Sequence, residues 1–437
     1  MKDPFKNIKI KNIKEKAEKF MSEHSDGWLG KIGSYFDPEP QKEKVLRHED
    51  FNAAGDVYYA DVSVAYKIAE RVFWLMFVFF LVFSISLNYK DITYDNFYYL
   101  FKDFSSAVDA GASDYETLSY DSDSRQSFQL YRGGLATVSP SATSIYTATG
   151  RRTIRENIAY SAPFMVCSDK YVLIYDSSGN SFSIYNSFSR IFTETLEYPI
   201  TDACFAEDGR FAIATRDHDS KSVIYIYDKD FRVLAKYGLD EYIFDVSIDS
   251  DNNRISMLYY DAGNGTGRTM FMVRDLNNIK KEISTMHFDG EFPLGIKSFE
   301  KGKIGVITDY AVRIFDDKLG ESEMIEYFDR EIIDFELSDH GIVIATAKNA
   351  KSYIIAFDNS GDLIYNNSIG FNVTEVGLFE DFVFVNTGTG VARFSIKDKE
   401  KNEFLPCDKG KLLIYDAETA LVCGTSKAVY LVYGKNR

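Results

Sequence analysis

Four acidic residues, Asp202, Asp245, Asp334 and Glu375, fall at the same register of four alternating segments. The segments are ITDACFAEDGRFAIAT from Ile200, IFDVSIDSDNNRISML from Ile243, IIDFELSDHGIVIATA from Ile332 and VTEVGLFEDFVFVNTG from Val373. Strand alternation sets the carboxylates on the face opposite Ala203, Val246, Phe335 and Val376, beside Cys204, Ser247 and Gly377. Two chemistries follow. Repeated carboxylates can accept backbone N–H groups from the next unit and so fix its spacing. They can instead crowd along a channel that holds a cation or a cationic ligand, raising one another's pKa. Phe164 and Ile296 stand at the matching points of two weaker copies and break the ring of acids, which favours the structural role.

Other chemistry finds little support. His218, His287 and His340 are far apart, and no G-x-S-x-G or CxxC occurs. DSDNN at 249–253 mimics part of a calcium loop but lacks the glycine and the distal glutamate, so a strand turn explains it. Cys167, Cys204, Cys407 and Cys423 sit in or beside apolar strand runs. Buried thiols are expected there rather than two disulfides, because a domain this large needs no staples. No catalytic residue, metal or cofactor is expected.

The elements that position the four acids recur. Weaker copies begin at Pro163 (PFMVCSDKYVLIYD) and Leu294 (LGIKSFEKGKIGVITD). After each copy comes a further alternating pair, such as SVIYIYDKDFRVLAKY, with Asp or Asn opening the turn. Taking Phe164, Asp202, Asp245, Ile296, Asp334 and Glu375 as equivalent points gives spacings of 38, 43, 51, 38 and 41 residues. Four short strands every ~40 residues is the signature of a β-propeller. One unit fits before these six and one after, and the last shows only three strands. The expected fold is therefore all-β, an eight-bladed β-propeller over 113–437, with seven blades and an appendage as the other count. The strand at 115–121 is expected to complete the last blade, since an open ring would leave a sheet edge exposed.

Ahead of the repeats, ERVFWLMFVFFLVFSISLNYK contains 18 uncharged residues between Arg71 and Lys90. As a helix this stretch spans about 27 Å, close to the thickness of a bilayer core. Arg71 and Lys90 can snorkel, and Trp74 and Tyr89 suit the two interfaces. Residues 1–71 hold thirteen Lys and Arg, whereas 90–150 hold four. That asymmetry places 1–70 in the cytoplasm as an amphipathic lead, 71–90 across the membrane, and 91–112 as a juxtamembrane helix below an outer propeller. The first 90 residues sum to +1, which leaves −17 of the total −16 on the outer part. Nucleic acid is excluded as a partner by that charge.

Both tryptophans, Trp28 and Trp74, precede the repeats, which argues against propellers built on a tryptophan motif. With this architecture, and turns such as AEDGR and LSDHG, the chain resembles an uncharacterised family of single-span, membrane-anchored propeller proteins of Clostridia-like Gram-positive bacteria. The resemblance covers about 65–437 and implies a cytoplasmic lead, one helix and an extracytoplasmic propeller. It transfers no activity and no functional residue. The expected function is a binding or scaffold module for an envelope protein, a peptide or a cell-wall component, tethered to the lipid bilayer. A glycan hydrolase or lyase using funnel carboxylates, and a transmembrane sensor, are the alternatives.

Overall fold

The computed structural model describes residues 53–87 and 117–434, apart from 207, 250, 263, 264, 266, 328 and 399–401. The expectations for the lead before residue 53, the juxtamembrane helix at 91–112, and Tyr89 and Lys90 lie outside the described residues. The chain divides into two units, Met1–Thr93 and Tyr94–Arg437.

In the first unit, α1 (Ala53–Leu87) is a single helix of 35 residues. Its stretch Tyr66–Ser86 has a mean hydropathy of 2.1 over 21 residues, long and apolar enough to cross a membrane. The side chains there are exposed: Trp74 at 56% and Phe79 at 69%. Phe73 stacks on Phe77 at 6.4 Å, one turn further along.

The second unit is an eight-bladed propeller. Eight four-stranded sheets are formed, seven of them meanders of consecutive antiparallel strands. The first strands of the meanders are β2 (Ser127–Tyr131), β6 (Pro163–Cys167), β10 (Ile200–Phe205), β14 (Tyr242–Asp249), β18 (Pro293–Ser298), β22 (Glu331–Ser338) and β26 (Glu375–Phe379). In the eighth sheet, β30 (Lys411–Ile414), β31 (Thr419–Cys423) and β32 (Lys427–Val432) are joined by β1 (Thr117–Ser119). Leu118 of β1 pairs with Ala428 and is buried, and the Tyr120 hydroxyl donates to the Gly424 carbonyl at 2.6 Å. Each first strand touches the next, and β30 touches β2, so the ring is closed.

Burial follows position in the blade. The second and third strands of blade three, β11 (Phe211–Arg216) and β12 (Ser222–Tyr227), are buried almost throughout, packed between neighbouring blades. Ala212, Ala214, Ile224 and Ile226 of that blade share one core with Val246, Ile255 and Met257 of the next. The fourth strand, β13 (Val233–Leu239), is an edge and alternates between exposed and half-buried residues. Asp at the turn before the fourth strand has a local task. Asp228 accepts the N–H groups of Asp230 and Arg232 at 2.8 and 2.9 Å, and Asp316 and Asp358 repeat the pattern.

A second device recurs between blades. Arg274 and Arg313, each about 5% exposed, lie over Tyr237 and Phe288 of the preceding blade at 4.4 and 4.3 Å, and Arg393, equally buried, lies over Tyr433 at the end of the following blade at 5.2 Å. Arg313 also grips Glu291 through two bonds of 2.6 and 2.7 Å.

Candidate functional site: the inner ring and its mouth

The four acids sit on the first strands, and each accepts an N–H from the following blade. Asp202 takes Val246 N–H at 3.1 Å, Asp245 takes Ile296 at 2.8 Å, Asp334 takes Val376 at 3.0 Å and Glu375 takes Leu412 at 2.7 Å. This bonding places Gly295, not Ile296, at the acid register of blade five. A bulge there adds one residue before Gly295, as bulges do before Asp202, Asp245 and Asp334. The absent side chain leaves room: a Cβ at Gly295 would stand 3.6 Å from the Asp245 carboxylate and 2.9 Å from Leu337.

A second register, two residues along the strand, was not legible as a repeat. Gln129 accepts Cys167 N–H at 3.0 Å, Ser247 accepts Ser298 at 3.0 Å and Glu336 accepts Leu378 at 3.0 Å. Three different side chains serve the same bond, so no residue type recurs to mark it.

Asp202 and Asp245 form a pair, because the single Val246 N–H lies 3.1 Å from one and 2.8 Å from the other. Both carboxylates are ringed by protein, although water reaches part of each residue. Burial raises Asp202 well above the ordinary carboxylate range, and the adjacent Asp245 adds to this. Burial pushes Asp245 up to about 6 and Glu336 up to about 7. Asp334 is raised by burial too, against the Val376 N–H and Lys411. Two carboxylates this close to one N–H each disfavour the other's charged form. Lys411 pairs with Glu375 at 3.3 Å.

The bulges also shape the mouth where the first strands begin. Their extra residues are Thr201, Phe244, Leu294 and Ile333. Thr201 and Phe244 line a cleft of about 610 Å³ with Arg216, Tyr242, Tyr260 and Phe292. Leu294 and Ile333 line a second, of about 490 Å³, with Asp309, Arg330 and Asp334. Tyr242, Phe244 and Phe292 are 55%, 42% and 41% exposed. Phe292 contacts Phe244 edge-on at 5.3 Å and Tyr260 at 5.2 Å. Tyr260 reaches this position because residue 267 is glycine; a Cβ there would collide with its hydroxyl. A cleft of about 140 Å³ at the opposite mouth is lined by Asp169, Lys170, Phe205 and Asp339.

Residues 111–406 match DUF5711, a family of unknown function. The chain belongs to the DUF5711 family. No curated protein matches this DUF5711 chain. Among solved structures, it is similar to the Pan2 WD40 domain of Neurospora crassa, with 12% identity and a TM-score of 0.42, over 63% of this chain and 90% of that one. It is similar to BamB of Moraxella catarrhalis, with 10% identity and a TM-score of 0.47, over 73% and 99%. It is also similar to Hsv2p of Kluyveromyces lactis, with 12% identity and a TM-score of 0.42, over 64% and 93%.

The remaining candidate positions of this DUF5711 propeller are structural in their bonding. Asp249 accepts Asn252 N–H at 3.0 Å and its amide at 2.8 Å, inside its own turn. The four cysteines are unpaired, with Cys423 buried and Cys167, Cys204 and Cys407 half-buried. Among the described residues, no group of three or more His, Cys, Asp or Glu is placed to hold a metal ion. In α1, Arg71 is half-buried and Trp74 exposed; Trp74 meets Phe77 edge-on at 5.7 Å.

Proposed function

We propose that the chain is a single-span envelope protein, with residues 1–70 cytoplasmic, 71–90 in the bilayer, 91–112 as a juxtamembrane helix and 113–437 as an outer propeller. Its task is to hold another envelope protein at the mouth where the first strands begin. The Lys and Arg asymmetry across the apolar stretch supports the orientation. The observation that carries the binding role is the aromatic cleft. Three large rings that a monomer would ordinarily bury are left exposed together, on a scaffold whose closed ring holds them still.

A glycan hydrolase fits the same residues poorly. Paired glycosidase carboxylates stand roughly 5–9.5 Å apart with room for sugar or water. Asp202 and Asp245 instead meet at a single N–H, and Asp334, Glu336 and Glu375 are each spent on the next blade's backbone.

A photoreactive amino acid placed at Phe244 in cells, and separately at Asp339 on the opposite mouth, tests the reading. The expected result is one discrete polypeptide adduct from the Phe244 position and none from Asp339. Lipid adducts alone, or equal adducts from both mouths, would overturn it.

A further inference from the structure

The aromatic cleft carries a more specific message than apolar exposure. Its rings are bordered by loops rich in carboxylates: Asp217 and Asp219 before Ser222, Asp240 and Glu241 before Tyr242, and Asp261 after Tyr260. Against these five stand Arg216, Lys221 and Arg268, and Arg268 is already held by Asp261 at 2.9 Å. Burial raises the Glu241 carboxyl, and Asp240 and Asp261 raise it further, so these acids feel one another across the rim. Asp202 and Asp245 are each the next residue after the cleft-lining Thr201 and Phe244, with their carboxylates turned to the next blade's backbone. Arg216 is the charged residue of the lining itself, and the loops beside the cleft carry the excess of carboxylates. An apolar guest would leave that charge unanswered.

The chain supplies its own indication of what the rings accept. The Lys221 ammonium lies 5.7 Å from the centre of the Tyr242 ring, at the border of the cleft. Ring faces present negative charge to a cation, and the contact strengthens when water is excluded. Tyr242, Phe244, Tyr260 and Phe292 together offer four such rings around one space of about 610 Å³. That volume takes a whole lysine side chain with its neighbours in an extended segment.

We propose that this cleft is an ammonium-binding site, and that its occupant is a lysine side chain on an extended segment of the protein partner. The proposal rests on the binding role given above and names the chemistry of that site. The rings receive the aliphatic stem and the face of the ammonium, and the Asp240 and Glu241 rim supplies the opposite charge. Lys221 is the internal competitor, displaced to solvent when the guest enters.

The test uses the full chain in an uncharged detergent and a fluorescein-labelled peptide, Ala-Leu-Lys-Leu-Ala, read by anisotropy. Its control is the same peptide with norleucine for lysine, which keeps the stem and removes the charge. The lysine peptide should bind about tenfold tighter. Phe292→Ala should abolish the difference. Gly267→Ala, which displaces Tyr260 without removing a ring, should reduce it while the melting temperature holds. Choline chloride should compete where sodium chloride at the same concentration does not. Equal affinity for the two peptides, a difference untouched by both variants, or equal competition by the two salts would overturn the proposal. A polypeptide adduct at Phe244 that persists after such a failure would leave the binding role standing with a different guest.

Discussion

At the residue scale, the inner-ring carboxylates join blades, and their environment makes this joint sensitive to protons. Asp245 and Glu336 hold a proton in the fold more tightly than their ordinary values of 3.8 and 4.5 allow in the unfolded chain. The stability they add is complete below those values and is lost as pH rises through about 6 and about 7. The melting temperature should therefore fall by several degrees, on the order of 2–4 °C per kcal/mol, between pH 5 and pH 8. Glu336→Gln, which keeps an acceptor for Leu378 N–H, should flatten that slope in a thermal scan; an unchanged slope would remove Glu336 from the account. The buried Arg313–Glu291 pair gives a second expectation. Arg313→Met leaves a carboxylate unmatched in the core and should cost about 3–5 kcal/mol in urea unfolding. Adding Glu291→Met should restore much of that loss. The four acids were visible from sequence because a carboxylate, three times Asp and once Glu, repeats at one register. Their partners were not, since each lies some forty residues onward in the next blade. Glu336 stayed hidden because Gln129 and Ser247 do the same work with different side chains.

At the element scale, period-two alternation and Asp-opened turns were enough to lay out eight units from the sequence. Alternation cannot count a bulge, however, and this moved the equivalent point of blade five from Ile296 to Gly295. The same bulges produce the mouth: Phe244 reads as the neighbour of Asp245 in a simple strand, yet it lines a cleft with Phe292 and Tyr260 from other segments. The three residues of β1 make the ring's closing sheet complete. Leu118, 2% exposed, sits in a core with Leu135, Tyr146 and Leu421. Leu118→Ala should cost about 2–5 kcal/mol and broaden the unfolding transition. A sharp, unshifted transition would mean that the eighth sheet does not depend on β1.

At the scale of the whole molecule, a 35-residue helix with an apolar stretch precedes in sequence an acidic, closed ring whose aromatic cleft opens at one mouth. The proposed orientation predicts that protease added to intact spheroplasts removes the propeller and spares the lead; a protected propeller would reverse it. The binding role itself is tested most directly by what the full chain brings out of native membranes. Wild-type chain and the Phe244→Ala/Phe292→Ala variant, matched for amount and melting temperature, would be purified in parallel and their stoichiometric companions quantified. One protein should be retained by the wild type and lost, by tenfold or more, from the variant, if the mouth is the binding site. A companion held equally by both would contradict it.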